Sequence, residues 1–236
     1  MTLRAVAQDL TPPILLRAIR STRRMLRGNY RGKAIPSSAV GDQDLDLYWD
    51  PRMALILDQW GEGTVWNEIK FLLANCSGKV LDIACGTGKT ITINAHNNEL
   101  ELYGCDISDL LIGKAIGRGI PAARLKVCDA TETDYLDDEF DYAYSIGSLE
   151  HFSYHGIDRF VSESRRIVRH SSFHMIPVSR SAEDEGWLKT TQSFHNNSVD
   201  WWKKKFESAF SKVQVLDSSW NDEISIGAWF VCSKAK

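Results

Sequence analysis

Apolar positions along this chain follow two periods, and their alternation sets the expected fold. From Val80 to Ala84 a short apolar run, interrupted only by Asp82, meets the small-residue turn Cys85-Gly86-Thr87-Gly88 and then Lys89 and Thr90. Such a run reads as a buried parallel strand, and the turn as the opening of a helix. Residues 100–105, 124–128, the stretch opening at Phe140-Asp141 and residues 172–178 repeat the strand signal. Residues 65–73, 90–98, 157–169 and 199–210 read as helices instead; in 157–169, Phe160, Val161, Ile167 and Val168 face inward. Strand and helix signals taken in turn predict an α/β fold, doubly wound around a mostly parallel sheet. Residues 212–216 and 224–232 then close that sheet.

Upstream of the first strand the pattern changes. Thr11 before Pro12 fits an N-cap with proline in the first helical turn, and Leu15, Ala18, Ile19, Thr22, Met25 and Leu26 form one apolar stripe that ends at Gly28 and Asn29. Arg17, Arg20, Arg24 and Arg27 fall on the other side. Arg4, Arg23, Arg31 and Lys33 add to them while Asp9 is the lone acid before residue 34, so a basic segment precedes an acidic body in a chain of net charge −3. Two readings stand level: a basic amphipathic helix that rests on an anionic membrane surface or meets an acidic substrate, and a helix whose arginines are solvated or paired with the body. Nucleic acid is disfavoured as a partner, because a basic arm alone gives salt-sensitive, unspecific attraction. Turn-forming residues from 35 onward separate this segment from the rest, which divides the chain into 1–44 and a larger domain, 45–236. Within 45–60, Tyr48 and Trp49 are candidates for a lid, whereas Trp66 reads as core.

At 236 residues and 43% hydrophobic content, the chain can bury one sizeable core. No run approaches the ~18 apolar residues of a spanning helix, and the first residues lack a secretory signal's apolar stretch. The expectation is a soluble, cytoplasmic protein whose only membrane contact is peripheral, at the inner face. Cys76, Cys85, Cys105, Cys128 and Cys232 form no C-x-x-C pair and read as reduced core residues, with no metal site.

The glycine turn carries the candidate chemistry. Gly86 and Gly88 have no Cβ, so the chain can turn with φ > 0 and a ligand can lie against bare peptide. A phosphate-binding P-loop needs glycine at position 83, where the chain has Ile83, and a dinucleotide fingerprint needs it at 91, where it has Ile91. Asp82-Ile83-Ala84-Cys85-Gly86-Thr87-Gly88 resembles instead the cofactor loop of class I S-adenosylmethionine (AdoMet) dependent methyltransferases, with Ala84 where the family more often has glycine. Asp106 ends the second strand 18 residues after Gly88, close to the ~20 between a nucleotide loop and an acid that grips ribose hydroxyls. The alternative for Asp106 is a solvated cap on a helix starting near Ser108. Asp129-Ala130 after the third strand matches the family's acidic-small pair that reads the adenine amino group. Residues 139–152 look like its fourth strand, which runs out over the active site.

This resemblance covers residues 80–169. It implies a seven-stranded sheet with an antiparallel last strand, S-adenosyl-L-methionine as cofactor, and a cofactor-binding set of Asp82, Ala84, Cys85, Gly86, Gly88, Asp106, Ile107, Asp129, Ala130 and Ser145. The chain departs from the family at His170-Ser171-Ser172, where a proline-glycine turn is usual before strand five. Of the histidines expected near the carboxyl edge, which include His155 and His174, His151 is the first candidate for a general base, because the outlet of strand four faces the methyl group. His195 is the second; for each, an imidazole that only packs is the alternative. No clustered carboxylates suggest metal-assisted transfer.

For the acceptor, strand four lacks the Asn/Asp-Pro-Pro-aromatic signature of amino-methylating DNA enzymes. Residues 10–16 look like the leading helices of bacterial methyltransferases associated with surface-polysaccharide assembly. That likeness implies a sugar or saccharide-precursor hydroxyl, with residues 179–200 as a substrate-covering insertion. The rival readings are a small-molecule N- or O-methyltransferase of secondary metabolism, a noncatalytic AdoMet-binding protein and a nicotinamide oxidoreductase.

Overall fold

The computed structural model describes residues 43–235. The expected basic helix, nearly all of the following linker and the 10–16 likeness lie outside them. Among the described residues no helix is long and apolar enough to cross a membrane.

Seven strands make the central sheet: β1 (Gly78–Ile83), β2 (Leu100–Asp106), β3 (Leu125–Val127), β4 (Phe140–Ile146), β5 (Val168–Ser179), β8 (Lys212–Asn221) and β9 (Ser225–Ser233). Their order is β3-β2-β1-β4-β5-β9-β8. β1 to β5 run parallel, and β9 lies antiparallel between β5 and β8. This is the class I methyltransferase arrangement, with the closing hairpin where the sequence puts it. A second, two-stranded sheet pairs β6 (Trp187–Leu188) with β7 (Phe194–His195). The helices are α1 (Pro51–Leu57), α2 (Val65–Leu72), α3 (Lys89–Asn94), α4 (Asp109–Gly117), α5 (Tyr154–Ile167) and α6 (Val199–Glu207).

Both faces of the sheet are covered, which is why β1 reads as a continuous buried run from Val80 to Ile83 rather than an alternating one. Leu81 and Ile83 join one core with Phe160 and Val161 of α5 and Trp202 and Phe206 of α6. Val80 points to the other, with Val65 and Ile69 of α2, Ile91 of α3 and Ile112 of α4. Each fully buried aliphatic or aromatic group of this kind stabilises by about 1.5–3 kcal/mol relative to exposure. Trp66 belongs to this second core, as its spacing suggests. All five cysteines are free.

Two element ends differ from the sequence expectation. α3 stops at Asn94 rather than running to residue 98: Asn97 N turns back onto Asn94 O at 3.0 Å, and Asn97 Oδ1 accepts from Glu99 N at 3.1 Å. An asparagine side chain that binds its own backbone offers the chain a turn in place of another helical bond. At the other site no turn separates α5 from β5: Val168 is already extended where the helix ends, and Arg169 Nη1 donates to Asp141 Oδ1 at 2.7 Å. His170-Ser171-Ser172 therefore lies inside β5, with Ser171 paired to Tyr142.

The sheet order reverses at β1, whose neighbours are β2 on one side and β4 on the other. A crevice opens beyond the carboxyl ends of strands at such a switch point, and ligands of open α/β sheets bind there.

Candidate functional site

The loop leaving β1 holds three residues in the left-handed region within five positions: Ala84 at φ 58°, Gly86 at 54° and Gly88 at 70°. Turns of this kind expose successive backbone N–H groups to a ligand. Gly88 is fixed by space as well as by φ, since a Cβ there would stand 2.3 Å from Ile120 Cδ1. The loop is tied down from two sides. Cys85 N donates to Cys105 O at 2.9 Å, and Cys85 itself is buried with its thiol pushed up by burial. Thr87 Oγ1 donates to Asp58 Oδ1, which also pairs with Arg118 Nη2 at 2.6 Å.

Asp82 lies beneath this loop, 3% exposed, and accepts from Thr90 Oγ1 in the first turn of α3. Burial pushes its carboxyl up to about 7. Asp106, at the end of β2, is buried too. Its Oδ2 accepts from Gly86 N at 2.8 Å and its Oδ1 from Ser108 N at 2.9 Å, so one carboxylate joins the glycine loop to the start of α4. Desolvation raises its proton affinity against those two bonds. Each oxygen keeps a further lone pair. Ile107 beside it is half-buried, and the chain then reaches Asp129, which is exposed, with Oδ1 accepting from Thr131 N at 2.8 Å, and Ala130, which is buried. Ser145 is placed elsewhere: its Oγ lies 2.8 Å from His174 Nδ1, within the sheet, and His174 stacks on Phe206.

At the outlet of β4 the chain turns through Gly147, φ 60°, under the ring of Trp60. A short 3-10 turn follows, Leu149–His151. His151 Nδ1 donates to the Ser193 carbonyl at 2.8 Å, which leaves Nε2 with its lone pair, 3.6 Å from Glu150 Oε1. Burial lowers His151 to about 4 and raises Glu150 to about 8, so both are neutral at pH 7. His195 sits on β7, which packs against this turn, but its ring is enclosed between Trp187 and Trp201 and neither nitrogen has a partner among the described residues.

Three buried polar atoms at the carboxyl edge also lack partners among the described residues: Thr131 Oγ1 after β3, and Ser148 Oγ and Glu150 Oε2 after β4. Unpaired buried polar atoms are costly, and their grouping at the strand ends fits a polar ligand held there.

The segment ahead of α1 spans the two halves of the edge. In the 3-10 turn Leu45–Trp49, Tyr48 O accepts from Ser108 Oγ at 2.6 Å and Tyr48 Oη from Gln192 Nε2 at 3.1 Å. Trp49 Nε1 donates to Asp109 Oδ1 at 2.8 Å, and Asp44 Oδ2 accepts from Ser193 N at 2.9 Å. The Ser193 peptide thus joins Asp44 to His151. Asp44 and Glu150 were not candidates from sequence; the one local signal was an acid next to His151, just past an apolar strand.

These buried groups fix how stability depends on pH. His151, His195 and His174 are held at about 4, 4 and 3, so below pH 6.5 the unfolded chain binds protons that the folded chain refuses. Glu150 and Asp82 work in the opposite direction: from their ordinary carboxyl range up to about 8 and about 7, the folded chain keeps protons that the unfolded chain releases. Each group contributes up to about 1.4 kcal/mol per pH unit. The three histidines outweigh Glu150 and Asp82 just below 6.5 and fall silent above it, and Asp106, raised in the same sense as those two acids, acts toward the acid end. Thermal unfolding is therefore expected to peak near pH 6.5 and to decline on both sides; a midpoint still rising from pH 6.5 to 8 would contradict these burials.

Against known proteins, residues 80–171 match the family model described as "Methyltransferase domain". The human protein named "Probable tRNA methyltransferase 9B" is 34% identical over 94 residues, which are 39% of this chain and 19% of that protein. "Phosphoethanolamine N-methyltransferase 3" of Arabidopsis thaliana is 33% identical over 76 residues, 31% of this chain and 16% of that protein. This chain therefore spans only a small part of the length of these relatives. Among solved structures, the 1,6-didemethyltoxoflavin-N1-methyltransferase of Burkholderia thailandensis shares the fold, with TM-score 0.63 at 13% identity, over 96% of this chain and 92% of that one.

Proposed function

Starting from a chain that belongs to the class I AdoMet-dependent methyltransferases, we propose that it moves a methyl group to a nitrogen or oxygen nucleophile of a small molecule. The observation that carries this reading is one edge holding both a positive-φ loop bound to Asp106 and, at the next strand outlet, an imidazole whose Nε2 lone pair is kept free.

In this reading the spare lone pairs of Asp106 accept from the ribose hydroxyls and Asp129 from the adenine amino group. The backbone from Ala84 to Gly88, with Cys85 packed beneath and Asp82 anchoring α3, bounds the amino-acid end; Ile107 and Ala130 line the base. S-adenosylmethionine, when bound, supplies a sulfonium methyl already activated for capture by a nucleophile. The chain's own task is to orient the acceptor, exclude water and take a proton, and orientation alone can be worth ~7 to 11 kcal/mol. His151 takes the proton at Nε2 while Ser193 holds the ring. At about 4, the imidazole is a weak base by itself, and an ionised Glu150 beside it is the group that strengthens it. His195 is the second candidate, and its closed aromatic setting makes packing its simpler role.

Two of the three relatives described above are named for small-molecule acceptors and none for a saccharide, which favours the small-molecule alternative over a sugar hydroxyl. The tRNA-named relative matches over 39% of the chain and the phosphoethanolamine-named one over 31%, so coverage does not separate these two, and the screen below decides between acceptor classes. A titration with S-adenosylhomocysteine and with NAD, followed by an AdoMet-consumption screen over amines, phenols and nucleotide sugars, tests the reading. Binding of the first nucleoside alone, with turnover on an amine or phenol, supports it. Binding of NAD, or turnover confined to nucleotide sugars, defeats it.

A further inference from the structure

We propose that the acceptor is an amine, and that Glu150 is the residue that recognises its nitrogen. This rests on the reading above in one respect, that the acceptor meets the methyl group at the outlet of β4.

Glu150 sits in the turn immediately after that strand, 2% exposed, and its Oε2 has no hydrogen-bond partner among the described residues. Its one ion-pair neighbour among them is His151 Nε2 at 3.6 Å, too far for a hydrogen bond. Among the described residues no lysine or arginine pairs with it. His151 cannot serve as a donor there, because its Nδ1–H is already given to Ser193 O. What the outlet offers a ligand is therefore a carboxyl group and an imidazole lone pair, with the unpartnered hydroxyl of Ser148 two residues before Glu150.

A carboxyl group buried with nothing to pair it destabilises a fold, and such groups persist where a ligand supplies the partner. The ligand's chemistry follows from what is missing. A phosphate or carboxylate could use only the single proton of a neutral Glu150, and would be repelled by the His151 lone pair and by Glu150 once ionised. A hydroxyl can meet both groups only while Glu150 stays protonated, because it lacks the second proton and the charge that an ionised Glu150 beside His151 needs. An ammonium brings both. It lets Glu150 ionise although burial otherwise holds its carboxyl up to about 8. One N–H proton of R–NH3+ then passes to His151 Nε2. The nitrogen lone pair this frees forms the N–CH3 bond as the S–CH3 bond breaks, with that bond's electron pair left on sulfur. The product departs as R–NH2+–CH3, and His151 returns its proton to solvent.

The test is calorimetry on the full chain saturated with S-adenosylhomocysteine, with phenethylamine and putrescine as probes against 2-phenylethanol and 1,4-butanediol. The amines are expected to bind, and each matched alcohol to bind about 30-fold more weakly or worse; Glu150→Gln is expected to lose amine affinity by a similar factor while holding S-adenosylhomocysteine as before. That retained affinity shows the variant to be folded, and should it be lost, the wild-type contrast between amine and alcohol decides alone. Equal binding of amines and alcohols, no binding of either, or full amine affinity in Glu150→Gln with S-adenosylhomocysteine still held would each overturn the proposal. Failure of wild type to bind S-adenosylhomocysteine is a separate result that overturns the methyltransferase reading as well.

Discussion

His151→Ala is expected to lower kcat/KM by about 100- to 10,000-fold with the true acceptor, the range for removal of a general base, and to leave S-adenosylhomocysteine affinity unchanged. The two readouts separate because the ring lies at the outlet of β4 and is not part of the loop and carboxylate that bind the nucleoside in this reading. His151→Gln sharpens the test. A glutamine amide can still donate toward Ser193 O, so that loop contact is retained while the proton acceptor at Nε2 is gone. If the loss comes from proton transfer, Ala and Gln fall together in kcat; if His151 only holds the 193 loop, Gln recovers most of the activity. Near-normal turnover in both would remove the base assignment and leave orientation as the enzyme's whole contribution.

The parts of this site that were legible in the sequence are those written in short-range chemistry. Gly86 and Gly88 announce a turn because no other residue takes φ of 54° and 70° so cheaply, and an apolar run ending in Asp106 announces a strand with an acid at its tip. The doubly wound, mostly parallel character of the sheet was legible for the same reason, since strand-helix alternation leaves it as the usual solution, while the seven strands and the antiparallel end were implied by the family resemblance. What could not be read is long-range pairing. Asp44 meets Ser193 across 149 positions and Tyr48 meets Gln192 across 144, and no local pattern encodes either. Asp82 shows the limit from the other side. Its place at the carboxyl end of β1 suggested a ligand-facing carboxylate, but eight residues on, Thr90 supplies a hydroxyl to it, and the group is buried beneath the loop. Sequence position gave its strand end, not its neighbours.

Asp106→Ala should weaken S-adenosylhomocysteine binding by about 100- to 10,000-fold, since two hydrogen bonds to a charged acceptor are worth about 1.5–3 kcal/mol each and 1.4 kcal/mol is tenfold. The same change acts on the empty protein, because Gly86 N and Ser108 N lose their acceptor while buried. Each orphaned donor costs about 1–3 kcal/mol, so the denaturation midpoint falls together with affinity. Asp106→Asn separates the two effects. Its one carbonyl oxygen can serve either Gly86 N or Ser108 N and keeps a lone pair for one ribose hydroxyl, while its NH2 points donors at the other N–H and the other hydroxyl. Asn should therefore keep part of the stability that Ala loses, and bind the nucleoside more weakly than Asp106 but better than Ala, since one neutral acceptor replaces two charged ones. A variant that is destabilised but binds at wild-type strength below its melting range would mean that Asp106 serves only as the strut between the glycine loop and α4. The ribose would then be held by other groups, and the cofactor assignment would have to be rebuilt from the backbone of the glycine loop and Asp129.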